Sequence, residues 1–414
     1  MINIIFPCIQ LYSYFYLMIS FSEAKSLISR QSQSYKKRLF KININKAVRY
    51  VLAENIKAKY DSPPFNQSAM DGYAFTFADL SKFSCFSLPA ELENRAGNSK
   101  IKIIPSGHAV RIFTGAKTPT NGDLVVPQEY VTLTENKIEF NSSSFSPFDN
   151  IRLKGSQFKK GEILIKKGEI LSAAKIALAA SAGYNMIQVY DKPKVAIIVT
   201  GSELIPPGKP LSGDKVYESN SVMLHSLLIE NNIQSAGIQF VKDEIKTTTN
   251  AIQKALKNAD VILISGGISV GKYDLIKDIL EKLKTKTIFH RIKQKPGKPL
   301  YFGKNKNTYV FGLPGNPAAS LTCFFEYVLP FLKSLSGYER TDAKSLHGKI
   351  TANYYKKPGL THFLKGFAQN GTVSILPDQE SYKITSFAEA NCLIVIPEET
   401  TSITEGDLVE YRHI

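Results

Sequence analysis

The sequence predicts a multidomain α/β protein built around a doubly wound parallel sheet. From Lys194 onward, short apolar runs typical of buried strands alternate with segments of helical period. This alternation is the pattern of parallel strands joined by helices. Short alternating strands separated by glycine and asparagine stand on both sides of this region, as in small β domains. The central sheet is therefore expected to be accompanied by separate β-rich domains.

Length and composition set the limits of this interpretation. A chain of 414 residues exceeds what one core supports, so about two to four domains are expected. A hydrophobic share of 43% excludes general disorder. The net charge of +16 is spread along the chain, which favours an anionic small ligand over nucleic acid. The four cysteines stand far apart, so neither a disulfide framework nor a zinc site is expected.

Residues 1–17 are apolar enough to suggest a signal peptide or a membrane anchor. The run has no basic region before it, and Pro7, Gln10 and Ser13 interrupt it before the roughly 20 residues that a span needs. We therefore expect a start at Met18, an upstream extension over 1–17, and a cytoplasmic protein without membrane contact.

Helical signals predict an elongated N-terminal domain of helical and mixed structure. One helix begins at Ser22, and the apolar spacing of Lys46–Asn55 predicts a second. A third begins after Ser172 as N-cap and ends at Gly183. This domain is predicted to be discontinuous, over 18–60 and 150–190.

The segment 61–149 is predicted to be a β-rich domain inserted into the elongated one. Alternating runs between Phe83 and Phe140 indicate its strands. Two polar turns, at Asp71-Gly72 and Thr114-Gly115, stand out within it. Each has an ordinary interpretation, a hairpin turn for the first and turn chemistry at a strand end for the second.

Region 191–337 is the predicted α/β domain, and short strands over 338–414, including Cys392–Ile396 and Leu408–Tyr411, predict a small C-terminal β-barrel domain. The predicted strands of the α/β domain are Val195–Val199, Gly237–Val241, Val261–Ile264, Phe289–Ile292 and Tyr309–Phe311. Four helices are predicted in this domain. The first begins at Ser219-Asn220, the second spans Glu244–Asn258, the third begins at Tyr273, and the fourth lies around Leu321–Leu332. Ligands of such sheets bind beyond the carboxyl ends of the strands.

Four motifs stand at those predicted strand ends. They are Thr200-Gly-Ser-Glu203, Ser265-Gly-Gly-Ile-Ser-Val-Gly271 with Asp274, Lys295-Pro-Gly-Lys-Pro299 and Pro314-Gly-Asn-Pro317. Glycines allow a tight turn whose backbone N–H groups approach an anion, and a helix N-terminus favours negative charge. Glycine is common at such positions, so one motif alone would be weak. Four motifs on one edge predict one site.

In this order the motifs resemble those of the MoeA family of molybdopterin molybdotransferases, which includes the catalytic part of gephyrin. Ser68-Ala-Met-Asp-Gly-Tyr-Ala74 and Thr114-Gly-Ala116 join the four motifs, and the match runs from about Met18 to the C-terminus. The resemblance implies an α/β domain of the molybdopterin-binding type and an elongated dimer of four-domain subunits. It also implies an enzyme that takes adenylylated molybdopterin and molybdate, releases AMP with Mg²⁺, and leaves molybdenum on the dithiolene.

The resemblance further implies roles for individual residues. The implied catalytic residues are Asp71, Thr114, Glu203, Asp243, Asp274, Lys295, Lys298 and Ser386. Of these, Asp71, Glu203, Asp243 and Asp274 would hold Mg²⁺, which prefers oxygen ligands. The lysines would present ammonium groups to phosphate or molybdate. The implied substrate-binding residues are Gly115, Arg152, Thr200, Gly201, Ser202, Ser219, Asn220, Ser265, Gly266, Gly267, Ser269, Val270, Gly271, Pro296, Gly297, Pro314, Gly315, Asn316 and Pro317.

Asp71 and Asp274 are expected at one composite site.

The sequence departs from the family's pattern at two places. Gln157 stands where some relatives carry a carboxylate, which puts a carboxylate role there in doubt, and Glu218 stands where aspartate is common.

Two other functions remain open at this point. One is a catalytically reduced scaffold that binds molybdopterin and acts through protein partners. The other is a phosphate-binding α/β enzyme of unrelated chemistry. The partners implied by the resemblance are a second copy of the chain and the molybdopterin adenylyltransferase that supplies the substrate. Neither nucleic acid nor a membrane is expected.

Overall fold

The computed structural model of the chain describes residues 18–89, 91–268 and 275–414. They divide into two compact units. The first contains Arg49–Val51, Val189–Ile414 and the described part of Met1–Phe40, and the second contains Lys41–Val48 and Leu52–Gln188. The predicted extension, 1–17, lies outside the described residues. The finer division into four domains stays a prediction.

The predicted N-cap at Ser172 is confirmed, and the first helix begins one residue before the predicted Ser22, with Ser20 as its N-cap. Ser20 accepts a hydrogen bond from Glu23 N at the start of the first helix, and Ser172 accepts one from Lys175 N. The α-helices are α1 Phe21–Gln33, α2 Ala173–Ser181, α3 Asn220–Glu230, α4 Ile245–Asn258, α5 Leu275–Lys282, α6 Pro317–Cys323, α7 Leu329–Leu335 and α8 Thr385–Glu389. A π-helical segment, Phe324–Val328, joins α6 to α7. Among the described helices, none has both the length and the apolar sequence needed to cross a bilayer.

The first half of the chain contains many short strands. They are β1 Leu39–Asn43, β2 Ile56–Lys57, β3 Gln67–Ser68, β4 Gly72–Phe75, β5 Phe86–Ser87, β6 Glu93–Arg95, β7 Asn98–Ser99, β8 Val110–Ile112, β9 Leu124–Pro127, β10 Thr132–Thr134, β11 Lys137–Glu139, β12 Ile151–Arg152, β13 Ile163–Ile165 and β14 Met186–Tyr190. In the second unit, β7, β6, β8, β4 and β9 form one sheet in that order. Side chains alternate along β4, so that Tyr73 and Phe75 enter one buried cluster and Ala74 enters another. This sheet agrees with the predicted β-rich segment.

The predicted helix over Lys46–Asn55 is wrong. The segment opens with a 3₁₀ turn, Ile44–Lys46, and Arg49 has a positive φ of 63°, which a helix does not accommodate. Leu52 N then donates to Glu169 O, and Ala53 N donates to Gln188 O, each at 2.9 Å. Pairing with distant segments of the chain therefore outweighs a helical spacing that extends over only ten residues.

The predicted doubly wound sheet is confirmed in the first unit. Its region contains β15 Lys194–Thr200, β16 Leu204–Ile205, β17 Val216–Tyr217, β18 Gln234–Val241, β19 Val261–Ser265, β20 Lys286–Arg291, β21 Gln294–Lys295, β22 Pro299–Asn305 and β23 Thr308–Leu313. The sheet order is β18, β15, β19, β23, β22, β20. The first four strands are parallel. Residues of β19 alternate between a cluster shared with α3 and a cluster shared with α4 and α5, so helices cover both faces.

Strand β22 departs from the expected all-parallel sheet. It pairs antiparallel with both β23 and β20, so that β20 runs in the same direction as the four parallel strands. Pro299 at its first position and Gly303 within it conceal this strand in the sequence, because both residues are usually depleted in strands.

The predicted C-terminal barrel is confirmed. Its strands are β24 Leu346–Ile350, β25 Tyr354–Tyr355, β26 Thr361–Gln369, β27 Thr372–Ile375, β28 Cys392–Ile396, β29 Ser402–Ile403 and β30 Leu408–His413. The order β26, β27, β24, β30, β28 closes through a pairing of β28 with β26. Closure leaves these five strands without a free edge.

A buried ion pair connects the barrel to the helices of the α/β region. Glu326, in the π-helical segment, is only 3% exposed and accepts a hydrogen bond from Arg412 of β30. Lys25 Nζ of α1 lies 3.8 Å from the same carboxylate. Burial raises the pKa of Glu326, whereas Arg412 and Lys25 oppose that shift. The charge is tolerated at this depth because it is paired.

Replacing Arg412 by Leu should lower the free energy of unfolding by about 3 kcal/mol, because it leaves a buried carboxylate without its main partner. Glu326→Gln should cost less, since Arg412 keeps its ion pair with Glu410. Urea denaturation of both variants measures the difference. Equal losses in the two variants would contradict an electrostatic role for the pair.

Candidate functional site

The carboxyl ends of the parallel strands meet at one edge of the sheet. Val199 of β15 lies in register with Ser265 of β19, which lies in register with Leu313 of β23. The loops that follow begin at the same level because parallel strands in register end together. We call residues 200–203, 242–243, 265–267 and 314–317 the carboxyl rim.

Two glycines let the loops of the carboxyl rim approach each other closely. Gly266 and Gly267 have φ values of +90° and +68°, which few other residues adopt. A Cβ atom on Gly266 would stand 2.4 Å from Thr200 O, and one on Gly267 would stand 2.9 Å from Thr200 Oγ1. The turn therefore requires glycine at both positions, for conformation and for space.

Asn220, the first residue of α3, forms hydrogen bonds with two segments of the carboxyl rim. Its Nδ2 donates to Ser265 Oγ at 2.8 Å and to Gly315 O at 2.7 Å. Its own Oδ1 and the Oγ1 of Thr200 are buried and have no hydrogen-bond partner among the described residues. A buried polar atom without a partner is costly, so such atoms mark a place that a polar ligand can occupy.

Carboxylates stand at the side of the carboxyl rim formed by β15 and β18. Ser202 N donates to Asp243 Oδ2 at 3.1 Å, and Asp243 N donates back to Ser202 Oγ at 3.3 Å. Glu203, the next residue, is exposed, as is Asp243. Within the described residues no three His, Cys, Asp or Glu side chains converge. Mg²⁺ is usually held by one or two carboxylates with waters and substrate phosphates, so Glu203 and Asp243 fit such a site.

A pocket of about 210 Å³ lies beside these carboxylates. The chain between β15 and α3 makes an excursion in which β16 and β17 pair in parallel. Lys215 within it donates from Nζ to Ser202 O at 2.6 Å. The pocket is lined by Val199, Gly201, Ser202, Leu204, Ile205, Pro206, Lys215, Glu218, Phe240, Val241 and Lys242. Sequence reasoning missed Lys215, because only the fold brings the excursion back to the end of β15, and it also missed Lys242, which follows β18.

Glu218, the acidic departure from the family's pattern, has a structural role. It is only 2% exposed, and its carboxylate accepts from Ser221 N at 2.7 Å and Ser221 Oγ at 2.6 Å. A carboxylate that accepts these bonds satisfies the first turn of α3. Ser219 is the N-cap residue, and its side chain makes no capping hydrogen bond.

The predicted lysines lie on a loop, 292–298, that we call the basic loop. Ile292 N donates to Lys298 O at 3.0 Å and closes its base. Its strand β21 pairs with β26 of the barrel, where Lys295 is the partner of His362. Lys295 is exposed. The basic loop is thus attached both to the α/β sheet, through β20 and β22, and to the barrel.

His362 lies behind Lys295 and is kept neutral. It is 8% exposed, and its Nδ1 lies 2.8 Å from the hydroxyl of Tyr354. Burial, together with the charges of Lys356 and Lys295, lowers the pKa of His362 to about 4. At neutral pH the positive charge beside this edge of the barrel therefore comes from lysines.

A loop of the barrel reaches the carboxyl rim at Asn316. Its Nδ2 donates to Ser381 Oγ at 2.8 Å. Ser386 is 4% exposed, and its hydroxyl donates to Asp378 O at 2.9 Å. In this structure the hydroxyl of Ser386 thus holds the barrel loop in place. Its predicted contact with substrate stays a prediction.

The second unit brings two other predicted residues together. Asp71 Oδ1 accepts from Thr114 N at 2.8 Å and from Thr114 Oγ1 at 2.7 Å. These bonds, and then the charge of Arg111, lower the pKa of Asp71. The hairpin interpretation of Asp71-Gly72 is wrong, because β3 pairs with β12 whereas β4 pairs with β8 and β9.

Three further predicted positions lie in the second unit. Gly115 has a φ of +82°, and its N donates to Ser68 O at 2.9 Å. Arg152 is an exposed residue of β12. Gln157, where a carboxylate was in doubt, accepts a hydrogen bond from Ser62 Oγ at 2.9 Å.

Four predicted site residues fall outside the described residues, namely Ser269, Val270, Gly271 and Asp274. The expected pairing of Asp71 with Asp274 therefore stays a prediction.

Three protein families match consecutive parts of the chain. Residues 19–183 match the MoeA N-terminal region, domains I and II. Residues 196–334 match a probable molybdopterin-binding domain, and residues 347–413 match the MoeA C-terminal region, domain IV.

Whole relatives match as well. A protein of Haemophilus influenzae named molybdopterin molybdenumtransferase is 34% identical over 89% of this chain and 92% of its own. A protein of the same name from Staphylococcus epidermidis is 30% identical over 95% and 94%. Two crystal structures of a molybdopterin biosynthesis MoeA protein from Pyrococcus horikoshii superpose with TM-scores of 0.81 and 0.77 at 30% and 26% identity. Each covers 96% of this chain, and 99% and 100% of its own.

The neutral state of His362 predicts a pH dependence of stability. Its folded pKa of about 4 lies below the ordinary value of 6.5, so between these values the unfolded chain binds a proton that the folded chain does not. The free energy of unfolding should therefore fall as the pH drops through this window, by on the order of 2 kcal/mol. Urea titrations from pH 7 to 4 should show a shallower decline in His362→Gln, and an identical decline would disprove the contribution.

Proposed function

The chain belongs to the MoeA family of molybdenum cofactor biosynthesis, and we propose that it is the transferase that inserts molybdenum from molybdate into adenylylated molybdopterin and releases AMP. The observation that carries this proposal is the carboxyl rim, where Thr200 Oγ1 and Asn220 Oδ1 are buried without a partner among the described residues. A polar heterocycle with a phosphate group supplies both hydrogen bonds and negative charge to such an edge. No specific observation favours a catalytically reduced scaffold.

Cleavage of the adenylyl phosphoanhydride requires a held substrate and compensation of developing negative charge. Asn220 and Thr200 orient the pterin portion from the floor of the carboxyl rim. The glycine turn at 266–267 stands at the carboxyl end of β19, where backbone N–H groups can approach a phosphate. Glu203 and Asp243 would hold Mg²⁺, which when bound neutralises phosphate charge.

The basic loop supplies the positive charges for the second substrate. Lys295 and Lys298 flank a Pro-Gly turn and present ammonium groups to molybdate or to the phosphate of AMP. His362 adds no charge at neutral pH, because its pKa is about 4. The anion site therefore depends on the two lysines.

The wider setting of the protein follows from the same premise. We expect it to act in the cytoplasm as a homodimer of four-domain subunits. A molybdopterin adenylyltransferase would supply its substrate, because the reaction consumes an adenylylated pterin.

Replacing Lys295 and Lys298 together by Gln should raise the Kd for molybdate about tenfold or more, because two charge-assisted contacts are lost. The thermal transition should change little, since Lys295 is exposed, Lys298 is only half-buried, and loop lysines of this kind contribute little to stability. Isothermal titration with molybdate measures the first effect and calorimetry the second. The matched control is Lys306→Gln, which replaces an exposed lysine between β22 and β23. Unchanged molybdate binding in the double variant would remove both lysines from the site.

Asp243→Asn should slow AMP release by about a hundredfold while adenylylated molybdopterin still binds, since a carboxylate that compensates transition-state charge is lost. The asparagine oxygen can still accept the hydrogen bond from Ser202 N, so the rim should keep its geometry. Single-turnover AMP release at a series of Mg²⁺ concentrations checks the effect. Asp278→Asn, an exposed carboxylate of α5, is the control and should behave as the unmodified protein. A wild-type rate in Asp243→Asn would refute the assignment.

A further inference from the structure

Beneath the basic loop lies a buried amide that the family comparison does not assign. Gln294 is fully buried, and its Nε2 donates to Pro296 O at 3.0 Å. The same Nε2 lies 3.7 Å from Cys323 Sγ, and Gln294 Oε1 accepts a hydrogen bond from the hydroxyl of Tyr327. The amide of Gln294 thus has partners for both its nitrogen and its oxygen.

The basic loop is shaped around this amide. Gly297 has a φ of +89°, and a Cβ atom there would stand 2.6 Å from Gln294 Nε2 and 2.6 Å from Cys323 Sγ. Cys323 Sγ in turn lies 3.8 Å from Gly297 O, within reach of a weak hydrogen bond. The turn between Lys295 and Lys298 therefore rests directly on two buried side chains, without space for a shift towards them.

The support beneath the turn comes from a rigid part of the fold. Cys323 ends α6, and Tyr327 lies in the π-helical segment that follows. Both side chains are almost completely buried. Burial raises the pKa of Tyr327 well above its ordinary value, so its hydroxyl keeps the proton that it donates to Gln294. The turn is therefore held against α6, the helix that begins at Pro317 of the carboxyl rim.

We infer that Gln294 is a positioning residue, which holds the turn of the basic loop so that Lys295 and Lys298 face one anion. This inference rests on the proposed role of the two lysines. An ammonium group at the end of a four-carbon stem has many rotamers, so only a fixed backbone makes two of them converge. Side chains that orient ligand-binding groups commonly change affinity by about ten- to a hundredfold when removed.

The test replaces the amide while keeping its bulk. Gln294→Leu should raise the Kd and the KM for molybdate about tenfold. The kcat at saturating molybdate should stay within about twofold, and binding of adenylylated molybdopterin should be unchanged, because the carboxyl rim is untouched. Tyr327→Phe removes the hydroxyl that fixes the amide, so it should shift molybdate affinity in the same direction by a smaller factor. Titration of the purified full-length protein with molybdate alone measures both affinities.

Two comparisons separate positioning from a general loss of stability. Val373→Ala, in the barrel core, should lower the thermal transition without changing the KM for molybdate. If Gln294→Leu lowers kcat and both affinities together, or leaves molybdate binding unchanged, the inference is overturned. If Lys295→Gln with Lys298→Gln weakens molybdate binding and Gln294→Leu does not, positioning fails while the proposed function stands. If the double lysine variant binds molybdate normally, the role of the lysines fails, and the inference fails with it.

Discussion

The close approach of the Gly266-Gly267 turn to Thr200 is the contact on which the candidate site depends. A single added Cβ atom on Gly266 would stand 2.4 Å from Thr200 O and would force two neighbouring strand ends apart. Because these ends stay together, Asn220 can reach both Ser265 and Gly315 with one amide group. The backbone contact between these strand ends therefore determines where the side chains of the site can lie.

The second source of the site lies outside the sheet. The basic loop leaves β20 and returns through β22, yet its own short strand β21 pairs with the barrel. The Glu326–Arg412 pair adds a buried connection between the same two regions. The basic loop is thus held by both regions. Three buried side chains, Gln294, Cys323 and Tyr327, form a polar network beneath it.

Charge at the site is local, although the whole chain carries +16. Carboxylates stand at the β15 and β18 side of the carboxyl rim, and lysines stand on the basic loop. His362 is subject to the charges of Lys356 and Lys295 and is neutral, because a third cation in a poorly hydrated position would cost free energy. Glu218 and Glu326 are buried carboxylates whose charges are satisfied by hydrogen bonds or by an ion pair. These two carboxylates stabilise the fold, and the groups proposed to contact substrate are others.

The sequence by itself determined the parallel strands and the helices of the α/β region, the barrel at the C-terminus and the motifs at the strand ends, but not the antiparallel strand β22. Apolar runs, capping serines and glycines act over a few residues, so their effects can be read locally. The tertiary structure decided what depends on partners far along the chain. Lys46–Asn55 is not a helix because Leu52 and Ala53 pair with distant backbone. Gln294 meets Cys323 and Tyr327, and Lys215 meets Ser202, only when the chain folds back on itself, and no local pattern encodes such contacts.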